Sequence, residues 1–211
     1  MTSSALARAT GMSAASASQH LKRLEAGGLV ASAPRGRQRW YRLGSAEVAR
    51  ALEVLAALAP RKPVQSLRQA SDAAGFTYAR VCYDHLAGRL GVALALELLA
   101  AGVLADRDGT WVAGRQAATF LQAGGIDAAE LLRGRRPFVR ACPDWSEHAP
   151  HVAGALGHAL LARLLTADWV ARLPGQRAVR IRPAAAVPEP WTTLLHHAVS
   201  RASGSSASAS S

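Results

Sequence analysis

The chain has 211 residues, half of them hydrophobic, enough to bury a core in one elongated domain or two small ones. It lacks the ~20 uninterrupted apolar residues of a membrane-spanning helix and the basic-then-apolar start of a secretory signal, and its two cysteines make no disulfide framework, so we expect a cytoplasmic protein. The net charge is +11, and residues 1–44 carry +6 of it, with seven Lys/Arg against Glu25, which is typical of a nucleic-acid-binding protein.

Residues 4–43 predict a helix, a tight turn, a second helix and a basic hairpin. Gly11 ends the first helix, and Ser13 is positioned to cap the second, which covers Ala14–Ala26. Three apolar residues of this second helix are expected to face the core: Ala17, Leu21 and Leu24. The order of elements predicts a winged helix-turn-helix, whose second helix fits the major groove of DNA while the wing lies against the backbone.

Two segments carry a family resemblance: residues 12–30, MSAASASQHLKRLEAGGLV, and residues 35–43, RGRQRWYRL. They resemble the ArsR-type family of bacterial winged-helix repressors. The resemblance implies a transcription factor that binds a double-stranded operator as a homodimer. That family has one or two further helices upstream, and a late start codon or a shortened chain would explain their absence here.

The residues expected to contact DNA lie on the second helix and on the wing: Ala14, Ser16, Ser18, Gln19, His20, Lys22, Arg23, Arg35, Arg37, Gln38, Arg39 and Tyr41. Gln19 can bond adenine bidentately, and serines serve most base edges. The cations suit phosphate. The alternatives are a partly buried position for His20 and a helix–helix contact for Ser18.

Ser45 is expected to cap a helix over Ala46–Leu58 that, in the resembling family, packs against its counterpart in a dimer. The first domain is therefore predicted to be 1–59. Residues 60–63, Pro-Arg-Lys-Pro, predict a linker, and a further helix is predicted over 64–73, before Gly75.

Residues 64–200 are predicted to form a C-terminal domain of two degenerate repeats, because HLAGRLGVAL at 85–94 matches HVAGALGHAL at 151–160 with an offset of 66, that is 151 − 85. An apolar helix and two short strands follow each copy, which is winged-helix order. The expected fold class is mainly α with small β-hairpins (α+β), a winged helix-turn-helix followed by two winged-helix-like repeats. The tail 201–211 is low-complexity and is expected to be disordered.

Residues 82–88, CYDHLAG, resemble a signature of long ArsR-type proteins with a C-terminal extension. Candidate sensor residues begin each repeat: Cys82, Asp84, His85, Cys142, Asp144, His148 and His151. Thiolate and imidazole are ligands for zinc or a softer metal, and pseudo-symmetric repeats could bring both sets together. The spacing is not that of a zinc finger, and Cys82 and His85 at i and i+3 suit one helix face, so buried structural cysteines are favoured over metal or thiol sensing.

We assign no metal site, because the helix at 5–10 has no cysteine and the helix at 46–58 has no histidine or aspartate, the residues through which many members of the resembling family sense metals. We expect no cofactor and no catalysis, because the sequence has no phosphate-binding glycine loop and no HExxH or GxSxG pattern. The function indicated is a sequence-specific DNA-binding transcriptional regulator, a repressor that is released by a small-molecule or metal effector of unknown identity. The alternative is a winged-helix module that binds proteins, or nucleic acid without sequence preference. The cationic wing favours the regulator.

Overall fold

The computed structural model describes residues 1–60, 66–183 and 185–204, without the side chain of Arg68. Its contacts divide the chain into two compact units, Met1–Glu53 (unit 1) and Val54–Ser211 (unit 2), each described by itself below. The domain limits predicted from the sequence stay a prediction.

Unit 1 contains two helices and a hairpin, and a third helix begins in it and extends past Glu53: α1 Ser3–Thr10, α2 Ala14–Ala26, β1 Val30–Arg35, β2 Gln38–Leu43 and α3 Ala46–Leu58. Local capping explains the helix boundaries. Gly11 adopts the left-handed conformation at φ 68° and closes α1, and the Ser13 hydroxyl accepts a hydrogen bond from the backbone N–H of Ser16 to open α2. The bounds predicted for α2 and α3 are confirmed.

The core of unit 1 is small. Its buried hydrophobic residues include Ala7, Ala17, Leu21 and Ala49. Leu24, predicted to face the core, is 38% exposed, because it continues the apolar stripe of α2 beyond this small core.

Unit 2 contains six further helices and four further hairpins within the described residues: α4 Leu67–Tyr78, β3 Arg80–Cys82, β4 His85–Ala87, α5 Arg89–Ala100, β5 Leu104–Arg107, β6 Thr110–Ala113, α6 Ala117–Ala123, α7 Ala128–Arg133, β7 Arg140–Pro143, β8 Pro150–Ala153, α8 Gly154–Thr166, β9 Val170–Arg172, β10 Val179–Ile181 and α9 Trp191–Gly204. Each sheet pairs two neighbouring strands, and all the pairs are antiparallel. The order strand, strand, helix, strand, strand occurs at 80–113 and again at 140–181. The fold is therefore mixed, with helices and small antiparallel hairpins.

Unit 2 is held together mainly by one large hydrophobic core. It includes Leu98, Leu121, Leu156 and Trp169, all of which are fully buried. Helix α5 packs against α9, and the Trp191 indole N–H donates to the Phe120 carbonyl at 2.7 Å.

Three local predictions for unit 2 need correction. Helix α4 does not stop before Gly75 but continues to Tyr78, since an exposed glycine weakens a helix without ending it. Cys82 and His85 lie on the two strands of a hairpin, not on one helix face. Helix α9 extends through residues 201–204 of the predicted disordered tail, because Ala202 is buried in the core.

Other predicted features lie outside the described residues: positions 61–63 of the linker, the start of the helix predicted over 64–73, and positions 205–211 of the tail.

Candidate nucleic-acid interface and a buried cysteine–histidine cluster

Helix α2 presents a polar face to solvent. Gln19, His20, Lys22 and Arg23 are exposed, as is Ala14 near the start of the helix. Ser16 and Ser18 are half-buried. The exposed position of His20 differs from the partly buried alternative considered for it.

The wing formed by β1 and β2 carries exposed cations at its tip. Arg35, Arg37, Gln38 and Arg39 are all exposed. The Arg35 guanidinium lies over the Trp40 ring, 5.3 Å from its centroid. These side chains form a basic edge on the hairpin.

One carboxylate connects the wing to α2. Glu25, near the end of α2, accepts a hydrogen bond from the Ser32 hydroxyl of β1 at 2.5 Å, and its other oxygen lies 3.8 Å from the Arg39 guanidinium of β2. The wing and the predicted recognition helix are thus joined by side chains as well as by the chain itself. The positive charge of Arg39, which is 62% exposed, is partly offset by Glu25. The side chains of Arg35 and Arg37 are therefore the clearer candidates for contact with DNA phosphate.

Strand β2 also pairs with the first residues of the chain. The Tyr41 N–H donates to the Met1 carbonyl at 2.7 Å, and the Met1 ammonium donates to the Tyr41 carbonyl at 2.9 Å. Both backbone groups of Tyr41 are therefore used within the unit, and a DNA contact by this residue would come from its half-buried side chain.

In unit 2 the structure brings together four of the seven candidate sensor residues. Cys82 and His85 are cross-strand partners in the β3–β4 hairpin, and Cys142 and His151 are cross-strand partners in the β7–β8 hairpin. One ligand atom from each of the four residues lies within 4.8 Å of the other three. All four side chains are buried, and we call them the Cys-His cluster.

The glycines of the two matching motifs allow the helices to approach the hairpins. A Cβ added to Gly157 would lie 3.1 Å from the Cβ of His85, and a Cβ added to Gly91 would lie 3.5 Å from the Cβ of His151. Helix α8 thus lies against His85 of the β3–β4 hairpin, and helix α5 lies against His151 of the β7–β8 hairpin.

Two buried or half-buried carboxylates flank the histidines. Asp84 Oδ1 lies 3.2 Å from His85 Nδ1, and Asp144 Oδ2 lies 3.2 Å from His151 Nδ1. The second contact lacks hydrogen-bond geometry and is electrostatic. The two Nε2 atoms face each other at 3.1 Å.

Each carboxylate is neutralised by an arginine. Arg136 donates to Asp84 with two nitrogens, at 2.5 and 3.1 Å. Arg80, whose side chain is fully buried, donates to Asp144 at 2.8 Å. Neither arginine is predicted from the sequence, since nothing local marks a cation that pairs with a carboxylate more than fifty positions away.

Arg80 is also enclosed by two aromatic rings. Its guanidinium lies 5.3 Å from the ring centroid of Phe76 and 5.1 Å from that of Trp145. Burial between these rings stabilises the cation through the π faces and excludes water from its pairing with Asp144.

The ionisation of the cluster follows from these contacts. A hydrogen bond with Cys142 and burial raise the pKa of Cys82 to about 12. Burial would raise the pKa of both carboxyl groups, but the neighbouring histidines and arginines outweigh it and hold the pKa of Asp84 and of Asp144 well below the usual range. Burial disfavours charge on His151, but Asp144 and then Cys82 outweigh it and raise the pKa of that imidazole.

Asp84 and Asp144 belong to the layer around the cluster, and His148 lies outside it. His148 is exposed and adopts a positive φ of 54° in the turn between β7 and β8. All four members of the cluster are thus among the seven candidates from the sequence, but only the hairpin geometry decides which of the histidines are buried in it.

A groove of about 550 Å³ opens elsewhere in unit 2, between α5, α6 and α9. Its lining includes Phe120, Leu194, Glu97, Glu189 and His197. The groove is therefore mainly apolar, with two carboxylates among its lining residues.

The helix-turn-helix and wing of unit 1 define a class, that of helix-turn-helix (HTH) transcriptional regulators. Residues 1–39 match the MarR family. Over 165 residues the chain is 41% identical to a Bacillus subtilis (strain 168) protein named "Uncharacterized HTH-type transcriptional regulator YdfF", an alignment that covers 78% of this chain and 73% of that protein. The chain belongs to this family of HTH-type transcriptional regulators, which are normally not enzymes.

The more specific ArsR-type resemblance is not supported by either match. No solved structure matches the chain. Among the described helices, none is long and apolar enough to cross a bilayer.

Proposed function

We propose that this protein is a cytoplasmic, sequence-specific repressor that binds an inverted-repeat operator as a homodimer. The observation that carries the proposal is the connection of the polar face of α2 to a cationic wing through Glu25. A helix that fits a major groove beside a basic β-tip that meets phosphate is the contact pattern of a winged helix. The net charge of +6 in residues 1–44 supports it.

The roles of individual residues follow from chemistry and exposure. Gln19 is a candidate for base recognition, because its exposed amide can make two hydrogen bonds to adenine. Arg35 and Arg37 are candidates for phosphate or minor-groove contact. Lys22 and Arg23, later on the helix, suit phosphate.

The homodimer is supported by α3. Leu52, Leu55 and Leu58 lie three residues apart and are 47%, 60% and 79% exposed, which makes an apolar stripe along one helix. In the ArsR-type resemblance this helix packs against its counterpart. Leu55→Glu is expected to produce monomers in sedimentation-velocity experiments at concentrations where the unsubstituted protein is dimeric. Ala57→Glu, at an exposed position on the opposite side of the helix from Leu55, serves as the control.

We further propose that unit 2 arose as two winged-helix-like repeats and that an effector binds within it. The repeated order of elements at 80–113 and 140–181 supports the repeat. An effector that favours the conformation with weaker DNA affinity would release the operator by shifting populations. The groove lined by Phe120 and Leu194 suits a small apolar ligand.

The test is a gel shift on the DNA upstream of the protein's own gene, with random DNA as competitor. Specific retention supports the regulator, whereas equal competition by random DNA indicates a module without sequence preference. Gln19→Ala should relax the preference at particular bases while binding to random DNA is unchanged. Arg107→Ala, at an exposed hairpin arginine of unit 2, is the matched control.

A further inference from the structure

We propose that the Cys-His cluster binds one zinc ion in a closed tetrahedral site that fastens the β3–β4 hairpin to the β7–β8 hairpin. The ligands are the thiolates of Cys82 and Cys142 and the Nε2 atoms of His85 and His151. All four ligands belong to unit 2, and none of them is among the residues proposed to read DNA.

The distances fit a tetrahedral ion. Two Zn–N bonds of about 2.0–2.1 Å at a tetrahedral angle place their nitrogens about 3.3 Å apart, and His85 Nε2 and His151 Nε2 are 3.1 Å apart. Two Zn–S bonds of about 2.3 Å place their sulfurs about 3.8 Å apart, and the four ligand atoms lie within 4.8 Å of one another. The ion would therefore enter with small side-chain rotations and no change of the hairpins.

The histidines are oriented for metal binding. Asp84 faces Nδ1 of His85 and Asp144 faces Nδ1 of His151, each at 3.2 Å. The Asp84 carboxylate accepts a hydrogen bond from His85 Nδ1 and leaves the Nε2 lone pair of that ring free, which is the arrangement found around zinc-bound histidines. At His151 the Asp144 carboxylate attracts a proton on Nδ1 by its charge alone. Two Nε2 lone pairs pointing at each other repel unless a cation, either a proton or a metal ion, lies between them.

The charges around the site balance when zinc is bound. Two thiolates neutralise Zn²⁺, and the Asp84 and Asp144 carboxylates are each paired with an arginine. A buried group of charges is tolerated when every member is paired. On binding, the two thiols lose their protons to solvent and the zinc stays in the +2 state, so no oxidant or reductant is required.

Two thiolates and two imidazoles select zinc among the common biological metals. All four positions are filled by protein, and the ligands are buried, which describes a structural ion and not a catalytic one. The four ligands come in two cross-strand pairs, from hairpins about sixty residues apart in sequence. Binding therefore closes a long loop and stabilises unit 2.

The first experiment measures zinc in the full-length protein, purified under reducing conditions without a metal-chelate column or chelator. Inductively coupled plasma mass spectrometry should find about one zinc per chain. After removal of zinc, titration with Co²⁺ should produce the intense ligand-field bands of tetrahedral cobalt and a thiolate-to-cobalt charge-transfer band, saturating at one equivalent. Chains that retain no zinc and show no thiolate–cobalt band with fully reduced thiols would overturn the proposal, and so would a Cys82–Cys142 disulfide in protein taken from reducing cells.

The second experiment uses variants. Cys142→Ser and His151→Gln should each lower the retained zinc at least tenfold. The control is His148→Asn, at an exposed histidine with a left-handed backbone conformation that asparagine tolerates. This variant should retain as much zinc as the unsubstituted chain. Equal retention in Cys142→Ser and the unsubstituted chain would refute the ligand set. Should a ligand variant fail to fold, the cobalt spectrum of the unsubstituted protein decides the question alone. Neither zinc retention nor the cobalt spectrum involves DNA, so the zinc proposal can fail or succeed independently of operator binding.

Discussion

Two helical glycines are expected to respond to alanine with opposite signs. A Cβ on Gly157 in α8 would lie 2.3 Å from the Val152 carbonyl oxygen and 2.9 Å from its carbonyl carbon. These are backbone atoms of β8, so they cannot rotate away as a flexible side chain would, and the strand must shift. A Cβ on Gly75 in α4 meets nothing within 4 Å.

The magnitudes follow from these distances. Forcing an extra methyl group into a well-packed region costs roughly 1–3 kcal/mol, and we expect Gly157→Ala near the upper end because backbone must move. Gly75→Ala should increase the free energy of unfolding by about 0.5–1 kcal/mol, since alanine loses less conformational entropy in a helix. The two variants should therefore differ by roughly 3–4 kcal/mol.

Urea unfolding of the full chain, followed by circular dichroism and by the fluorescence of the buried Trp169 and Trp191, measures both values by linear extrapolation. A Gly157→Ala protein as stable as the unsubstituted chain would refute the close approach of α8 to β8. A Gly75→Ala protein less stable than the unsubstituted chain would refute the open surroundings of Gly75.

Three other predictions concern the wing, acid stability and the core. Arg37→Ala should weaken binding to all DNA sequences similarly and reduce the magnitude of the slope of log K against log salt by about 1. Salt titrations measure this slope, with Arg107→Ala as the control. An unchanged slope would show that Arg37 does not contact phosphate. Because the pKa of Asp84 is depressed in the folded protein, the ionised carboxylate stabilises the fold above pH about 4, and this stabilisation is lost as the pH falls below that value. In urea unfolding, Asp84→Asn should therefore lose less unfolding free energy on acidification than the unsubstituted chain. Equal losses would contradict the assignment. Trp191→Phe removes the 2.7 Å hydrogen bond to the Phe120 carbonyl, which keeps its 3.4 Å bond from the Gly124 N–H, and the lost bond should cost roughly 0.5–1.5 kcal/mol of unfolding free energy. An unchanged free energy of unfolding would show that water replaces the indole.

Much of unit 1 could be predicted from the sequence because its boundaries are local. Ser13 accepts its hydrogen bond three residues away, and Gly11 closes α1 through its own φ angle. The polar face of α2 follows from a period of 3.6 residues. The pairing of Glu25 with Arg39 could not be predicted from such a period, because it depends on how the hairpin folds back on the helix.

In unit 2 the same reasoning was less successful. The periodicity of a short apolar run does not separate strand from helix. The i to i+3 spacing of Cys82 and His85 suits one helix face, yet the two residues pair across a hairpin. Residues 114–139 contain two short helices, α6 and α7, which no sequence pattern indicated. Alanine-rich segments carry little amphipathic signal.

By itself, the sequence determined the helix caps, the turn glycines, the basic wing and the seven candidates that include the four residues of the cluster, because each depends on residue type and near neighbours. The tertiary structure alone decided that these cysteines and histidines meet, that Asp84 and Asp144 face the Nδ1 atoms, and that Arg80 and Arg136 neutralise those carboxylates. The physical reason is that each of these contacts joins segments separated by fifty residues or more, or depends on how such segments pack. Packing of the whole core, and not the preference of any short segment, brings such segments together.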